Sequence, residues 1–242
     1  GTPIGLELDL GNLRLPSLPD LDADFSHVGS LKLSGMALSA SPEGFLARYR
    51  SVRWLDLSNN QLRELPPALG EMHGLTRLFL QKNQIQLTAQ TAEVLAGRSS
   101  LRALWLDNNP LGIAPDFSRI PDMRSLSLKN VNIDTWPPGL GEQPLLDMVD
   151  LSGNQITTLP DFLVAPLPEQ RARSVRLSRV ANMSNNPLSE ATLAQVRVYS
   201  ERLEQNALSE PGSPNLLVVS ALRIAHRELL NTAPGLVFER WS

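Results

Sequence analysis

The chain has 242 residues, 42% of them hydrophobic and 19% charged, with a formal net charge of -3, a composition that can bury a substantial core. Charges of both signs are interspersed, so no basic field exists to hold a phosphate backbone, and nucleic acid is excluded as a partner. Cysteine is absent, which excludes disulfides, thiolate metal sites and a cysteine nucleophile from this chain.

The first stretch, GTPIGLELDLGNLRLP, lacks a basic region followed by a continuous apolar one and so does not read as a signal peptide. Residues 1–27 are expected to form an N-terminal cap: a degenerate first coil, LELDLGNLRLP, and a convex segment, LDADFSHV. From residue 28 a repeat takes over. LDLSNNQLRELP, residues 55–66, alternates apolar and polar like a strand and then places Asn60 where the next apolar residue would fall. Asn83, Asn109 and Asn154 align with it, and the template apolar-x-x-apolar-x-apolar-x-x-Asn-x-apolar also covers 28–38 and 123–133, with Met36 and Val131 at the Asn position. By subtraction of residue numbers, Leu33, Leu57, Leu80, Leu106, Leu128 and Leu151 lie 24, 23, 26, 22 and 23 residues apart, a leucine-rich repeat period.

The α/β fold this period predicts is a leucine-rich repeat solenoid, a curved horseshoe with a concave parallel β-sheet and a mostly extended or short-helical convex side. The template leucines point inward, and the chain turns sharply after a strand of three or four residues. A buried Asn amide, with two donors and an acceptor, can satisfy the backbone of its own and the neighbouring coil where leucine could not. Asn60, Asn83, Asn109, Asn154 and Asn186 are therefore assigned as structural, and local irregularity is expected at Met36 and Val131, with Asn130 or Asn132 compensating in the latter repeat. Prolines after an apolar residue in LRELPPALGEMHGL, IDTWPPGLGEQPLL and ITTLPDFLVAPLPE suit extended or single-turn convex segments. TAQTAEVLAGR, residues 88–98, has the spacing of a short helix. Trp136 stands where other repeats have leucine and is expected in the core.

The repeats run over 28–188, with an insertion around 171–180 before a last coil that ends at Asn186 and Leu188. Residues 189–242 are expected to form a C-terminal helical cap and linker: a helix from Ser189, a turn at SEPGSP, and a second helix, NLLVVSALRIAHRELLN. The longest apolar stretch, LLVVSALRIA, is about half the roughly 20 residues a membrane span needs.

Chemistry is sparse. His27, His73 and His226 are scattered with no metal-ligand spacing, and no phosphate-cradling loop or nucleophile elbow occurs. No catalytic residue, metal or cofactor is therefore assigned, and the chain is not expected to be an enzyme. The middle strand position, on the concave face, reads Lys32, Asp56, Phe79, Trp105, Ser127, Asp150; the adjacent outward position reads Ser30, Trp54, Arg77, Ala103, Ser125, Met148. A solvent-facing sheet has no folding reason to display two tryptophans, and Trp, Arg and aromatics generally dominate binding hot spots. Trp54, Arg77, Phe79 and Trp105 are the expected centre of a partner-binding face, with Asp56, Asp107, Lys129 and Asp150 as its charged members.

The repeats resemble those of bacterial leucine-rich repeat proteins. MSNNPLSEATLAQV followed by an amphipathic helix resembles the end of the repeat domain in effector ubiquitin ligases of the novel E3 ligase (NEL) class, the IpaH and SspH types. That resemblance implies substrate recognition of a host protein, a bacterial cytoplasmic origin with secretion into a host cell, and intramolecular contact with a following catalytic domain. The cysteine that class uses is absent, so no catalytic residue is carried over. Three readings stand: a protein-recognition module, the targeting domain of such a ligase, and a scaffold self-associating through its C-terminal helices.

Overall fold

A computed structural model describes residues 5–15 and 17–209; the second C-terminal helix expected over 215–231, on which the scaffold reading rests, lies outside them. The described residues form two compact units, one running to Asn132 and including Pro137–Val149, the other comprising Ile133–Trp136 and the residues from Asp150 onward.

In the first unit β1 (Leu6–Asp9), β2 (Val28–Lys32), β3 (Trp54–Asp56), β4 (Arg77–Phe79), β5 (Ala103–Trp105) and β6 (Ser125–Ser127) pair side by side in chain order, all parallel. Register is set by the template: Leu31, Leu55, Leu78, Leu104 and Leu126 are mutual partners across β2 to β6, and each is fully buried. The residues on either side of each leucine take the opposite face of the pleat. The ladder continues through the N–H groups of Asp147 and Met148, which donate to Arg124 O at the start of β7 (Met148–Asp150). This is a leucine-rich repeat fold. Burial of a leucine contributes roughly 1.5–3 kcal/mol, so the inward columns, with Leu57, Leu62, Leu69, Leu75, Leu80 and Leu106 at 0–1% exposure, hold the stack together. The first coil contributes least, since Leu6, Leu13 and Leu15 are all exposed.

On the convex side the prolines set short elements. Pro42 precedes the single-turn helix α1 (Glu43–Leu46), and Pro66 precedes a 3-10 turn, Pro67–Glu71. The longest regular coil carries α2 (Ala89–Ala96), whose Thr88 hydroxyl accepts from Thr91 N–H in a capping box. The buried Arg98 donates from Nη1 to Leu69 O and Gly70 O at 3.1 and 2.9 Å, tying this coil to the one before it. Burial pushes its pKa down, and Glu71 opposes that shift.

The strand ends are held by asparagine. Asn60 Oδ1 accepts from Met36 N and Leu38 N at 3.0 and 3.1 Å, while its Nδ2 donates to Leu33 O of the preceding coil and Leu57 O of its own at 2.9 and 3.0 Å. Asn83 does the same with Leu62 N, Leu57 O and Leu80 O, and Asn109 with Ile85 N, Leu80 O and Leu106 O, all at 2.9–3.0 Å.

The residue before each ladder position is left-handed: Gly35, Asn59, Lys82, Asn108, Asn130, Gly153 and Asn185 have φ of 65, 55, 58, 56, 55, 70 and 56°. Asn and Gly tolerate that conformation best. At Gly35 a Cβ would also come within 2.5 Å of Asn12 Oδ1. The two repeats without a ladder Asn differ in a second residue. Only there is the following residue also left-handed, Ala37 at 60° after Met36 and Asn132 at 58° after Val131. Met36 and Val131 are themselves buried, at 1% and 0% exposure.

In the second unit Leu151 N donates to Asn182 O at 2.8 Å, pairing the chain after β7 with β8 (Ala181–Asn182). Asn154 Oδ1 accepts from Ile133 N at 3.3 Å, and Asn186 joins Ile156 N to Leu151 O and Met183 O. The insertion around 171–180 is a helix, α4 (Arg171–Val180), following the short α3 (Asp161–Val164). In α5 (Glu190–Ser209) Thr192 N–H donates to the Ser189 hydroxyl, and Thr192 Oγ1 donates to Thr157 O, fixing the helix start to the last coil. Trp136 departs from expectation. It is half-buried rather than in the core, because Phe162 of α3 meets it edge-on at 6.4 Å and gives the ring a partner outside the leucine column.

Candidate functional site

The outward face of β3, β4 and β5 carries the aromatic residues. Parallel register sets Trp54 beside Arg77 and Phe79 beside Trp105. The Phe79 ring lies 5.3 Å from Trp105 at 88°, the edge-to-face arrangement their quadrupoles favour, and 5.9 Å from Trp54 at a tilted 56°, so the three rings form one contiguous chain. The Arg77 guanidinium lies 5.0 Å from the Trp54 ring centroid, and Lys32 Nζ lies 5.2 Å from the same ring. Trp54 is thus bracketed by two cations. Lys32, absent from the expected set, also pairs with Glu7 at 3.1 Å.

The indole groups differ. Trp105 Nε1 donates to Ser125 Oγ at 3.0 Å, which locks that ring across to β6. Trp54 Nε1 is buried with no hydrogen-bond partner among the described residues, as is Ser30 Oγ on the neighbouring strand. A buried donor left unmade costs about 1–3 kcal/mol. The cation and ring contacts hold Trp54 in place against that cost.

The charged members of the expected set take local parts. Asp56 Oδ1 accepts from Ser58 N and Oγ at 2.9 and 2.6 Å, and Asp107 Oδ1 accepts from Lys129 N at 3.2 Å. Asp150 belongs to the second unit, where its Oδ1 accepts from Ser152 N and Oγ at 2.9 and 2.6 Å. Asn182 repeats this with Ser184. These are Asx turns in which a side chain takes the place of a backbone acceptor. The signal is in the sequence as Asp/Asn-x-Ser immediately before the left-handed residue in DLSNN, DLSGN and NMSNN. In the first unit the structure therefore brings together Trp54, Arg77, Phe79 and Trp105, and separately Asp107 with Lys129. Among the described residues no group of three or more His, Asp or Glu could hold a metal ion, and no helix is long and apolar enough to cross a membrane.

Residues 50–111 match the family model described as leucine rich repeat. Human vasorin is 36% identical over 124 residues, 50% of this chain and 18% of vasorin, and human podocan-like protein 1 is 29% identical over 180 residues, 72% of this chain and 33% of that protein. The chain thus spans a third or less of the length of these relatives. Among solved structures, the leucine-rich repeat ectodomain of the Arabidopsis thaliana receptor kinase GASSHO1/SCHENGEN3, in complex with CASPARIAN STRIP INTEGRITY FACTOR 2, matches with a TM-score of 0.57 and 28% identity over 71% of this chain and 20% of that one.

These matches overturn the resemblance to bacterial NEL-type ligases, and with it the bacterial cytoplasm, host-cell secretion and ligase-targeting readings. The relatives and the solved structure named above are human and plant proteins. The motif that suggested the resemblance, MSNNPLSEATLAQV, is accounted for by the Asn186 amide, the Asn185 turn and the Ser189 cap. A ladder Asn, a left-handed turn and a helix cap are general devices for ending a repeat stack and starting a helix, so they do not identify a lineage.

Proposed function

We propose that this chain is a protein-recognition module whose partner docks on the outward face of β3 to β5, over Trp54, Arg77, Phe79 and Trp105. The observation that carries this is the contiguous chain of three aromatic rings with a guanidinium over its end. It sits on a face whose inward counterpart already supplies the fold with its leucines. Rigid aromatics and arginine give large contact area at low ordering cost, which is why they dominate interface energetics. The likeness to a leucine-rich repeat ectodomain solved in complex with CASPARIAN STRIP INTEGRITY FACTOR 2 supports the reading.

The test is selection from a displayed random-peptide library on the immobilised chain, followed by titration of the enriched peptides against wild type and Phe79→Ala/Trp105→Ala. Loss of about tenfold or more in affinity is expected, the scale of a hot-spot truncation. Unchanged affinity, with the double variant melting like wild type, overturns the assignment of this face.

A further inference from the structure

Beside the aromatic chain runs a row of cations. Arg53 immediately precedes β3, Arg77 opens β4, Arg102 immediately precedes β5 and Arg124 immediately precedes β6. Each strand from β3 to β6 thus has one exposed arginine at or just before its start, Arg77 in register with Trp54, Ala103 and Ser125 and the other three one position earlier. All four side chains belong to exposed residues, and Arg53, Arg77 and Arg102 have no ion-pair partner among the described residues. Arg124 Nη1 has Asp147 Oδ2 at 3.7 Å, both side chains being more than half exposed. An exposed pair of that kind is weak, of the order of 0–1 kcal/mol.

The opposite ends of β3 and β5 carry the other sign, while Lys129 lies two residues beyond the end of β6. Asp56 closes β3, and Asp107 lies two residues beyond the end of β5. Over β3 to β5 the face is thus graded, with Arg53, Arg77 and Arg102 toward the strand starts and Asp56 and Asp107 toward the ends, Asp56 being in register with Phe79 and Trp105. Such a gradient orients a partner as well as attracting it.

Resting on the recognition reading above, we infer that Arg53, Arg77, Arg102 and Arg124 receive the carboxylates of an acidic peptide segment laid across β3 to β6, with its apolar side chains on Trp54, Phe79 and Trp105. The dimensions agree. Adjacent strands are about 4.8 Å apart, so the row is roughly 14 Å long, and an extended peptide at about 3.3 Å per residue covers it in four or five residues. Guanidinium forks bind carboxylates bidentately, and Arg77, stacked on Trp54, is already ordered for it. A polyanion such as a sulfated polysaccharide fits less well. It would bring charge without apolar side chains for the rings and would lie close to Asp56 and Asp107.

Fluorescence anisotropy of the full chain with a labelled peptide of alternating glutamate and tyrosine, its lysine–tyrosine counterpart and a labelled heparin fragment tests this. The glutamate peptide should bind at least about tenfold tighter than the lysine peptide, weaken as salt is raised, and lose about tenfold in Arg77→Gln/Arg102→Gln. Equal binding of the two peptides, tighter binding of heparin, or an unaffected arginine variant that melts like wild type would each overturn the inference. If library-selected peptides depend on Phe79 and Trp105 but not on Arg77 and Arg102, the inference falls and the recognition face stands. If they depend on neither pair, both fall.

Discussion

The turn at Asn60 and the turn at Val131 solve the same problem in two ways. At Asn60 one amide bridges two coils, and the residue after it, Gln61, keeps an ordinary backbone. At Val131 the ladder position is apolar and buried, and the chain takes a second left-handed residue, Asn132; Met36 and Ala37 repeat the pattern. Side-chain hydrogen bonding and backbone conformation are therefore interchangeable at this point of the repeat. An amide spares the backbone a strained residue, and where it is missing the backbone takes on the strain.

This comparison can be broken most severely at an amide. Asn83→Ala leaves Leu62 N, Leu57 O and Leu80 O without their side-chain partner, and with unmade buried groups costing about 1–3 kcal/mol each, the loss should reach about 3 kcal/mol in denaturant melts. A loss below one unmade bond would mean that the backbone can relax as it does at Val131.

The reciprocal change is Val131→Asn. Placed in a backbone already shaped by Asn130 and Asn132, the new amide should find incomplete partners and destabilise by about 1–3 kcal/mol. A stabilising result would show that sequence alone, not the turn's second left-handed residue, decides the ladder.

The smallest effect sharpens the left-handed column itself. Lys82 is its one member that is neither Gly nor Asn, and a side chain with an unbranched carbon stem pays for that conformation. Lys82→Asn should raise stability by up to about 1 kcal/mol, read as a higher melting temperature. An unchanged melt would argue that Lys82 gains as much from its surroundings as it loses in φ.

The contrast also explains what could be read before any coordinates. The ladder amides were legible because a buried Asn falls at a constant offset from three leucines. The residue before it was not read as left-handed because, in NN doublets, the first Asn looks like a spare copy of the second. Asp56 and Asp150 were read as face charges because their column points outward, yet the serine two residues on draws each into a turn. The row of Arg53, Arg102 and Arg124 is not visible in the strand pattern, because those three lie one residue before their strands. α4 was passed over as an insertion, four arginines in RARSVRLSRV masking the inward Ser174 and Leu177 that bury it. Trp136 was placed by analogy with leucine, and no periodicity announces that Phe162 waits for it outside the column.

The ladder has a direction. Asn60 serves groups of the coil before it, Asn83 serves the coil of Asn60, and Asn109 that of Asn83, each amide reaching backward along the chain. Drawn from its C-terminal side, this stretch should therefore peel one coil at a time, every detachment exposing raw polar edges on the coil that remains. Drawn from its N-terminal side, it instead leaves the Asn60 amide without Met36 N, Leu38 N and Leu33 O, alongside strand groups such as Arg53 N and Asp56 O, so both ends of the stack bare polar edges, of different make.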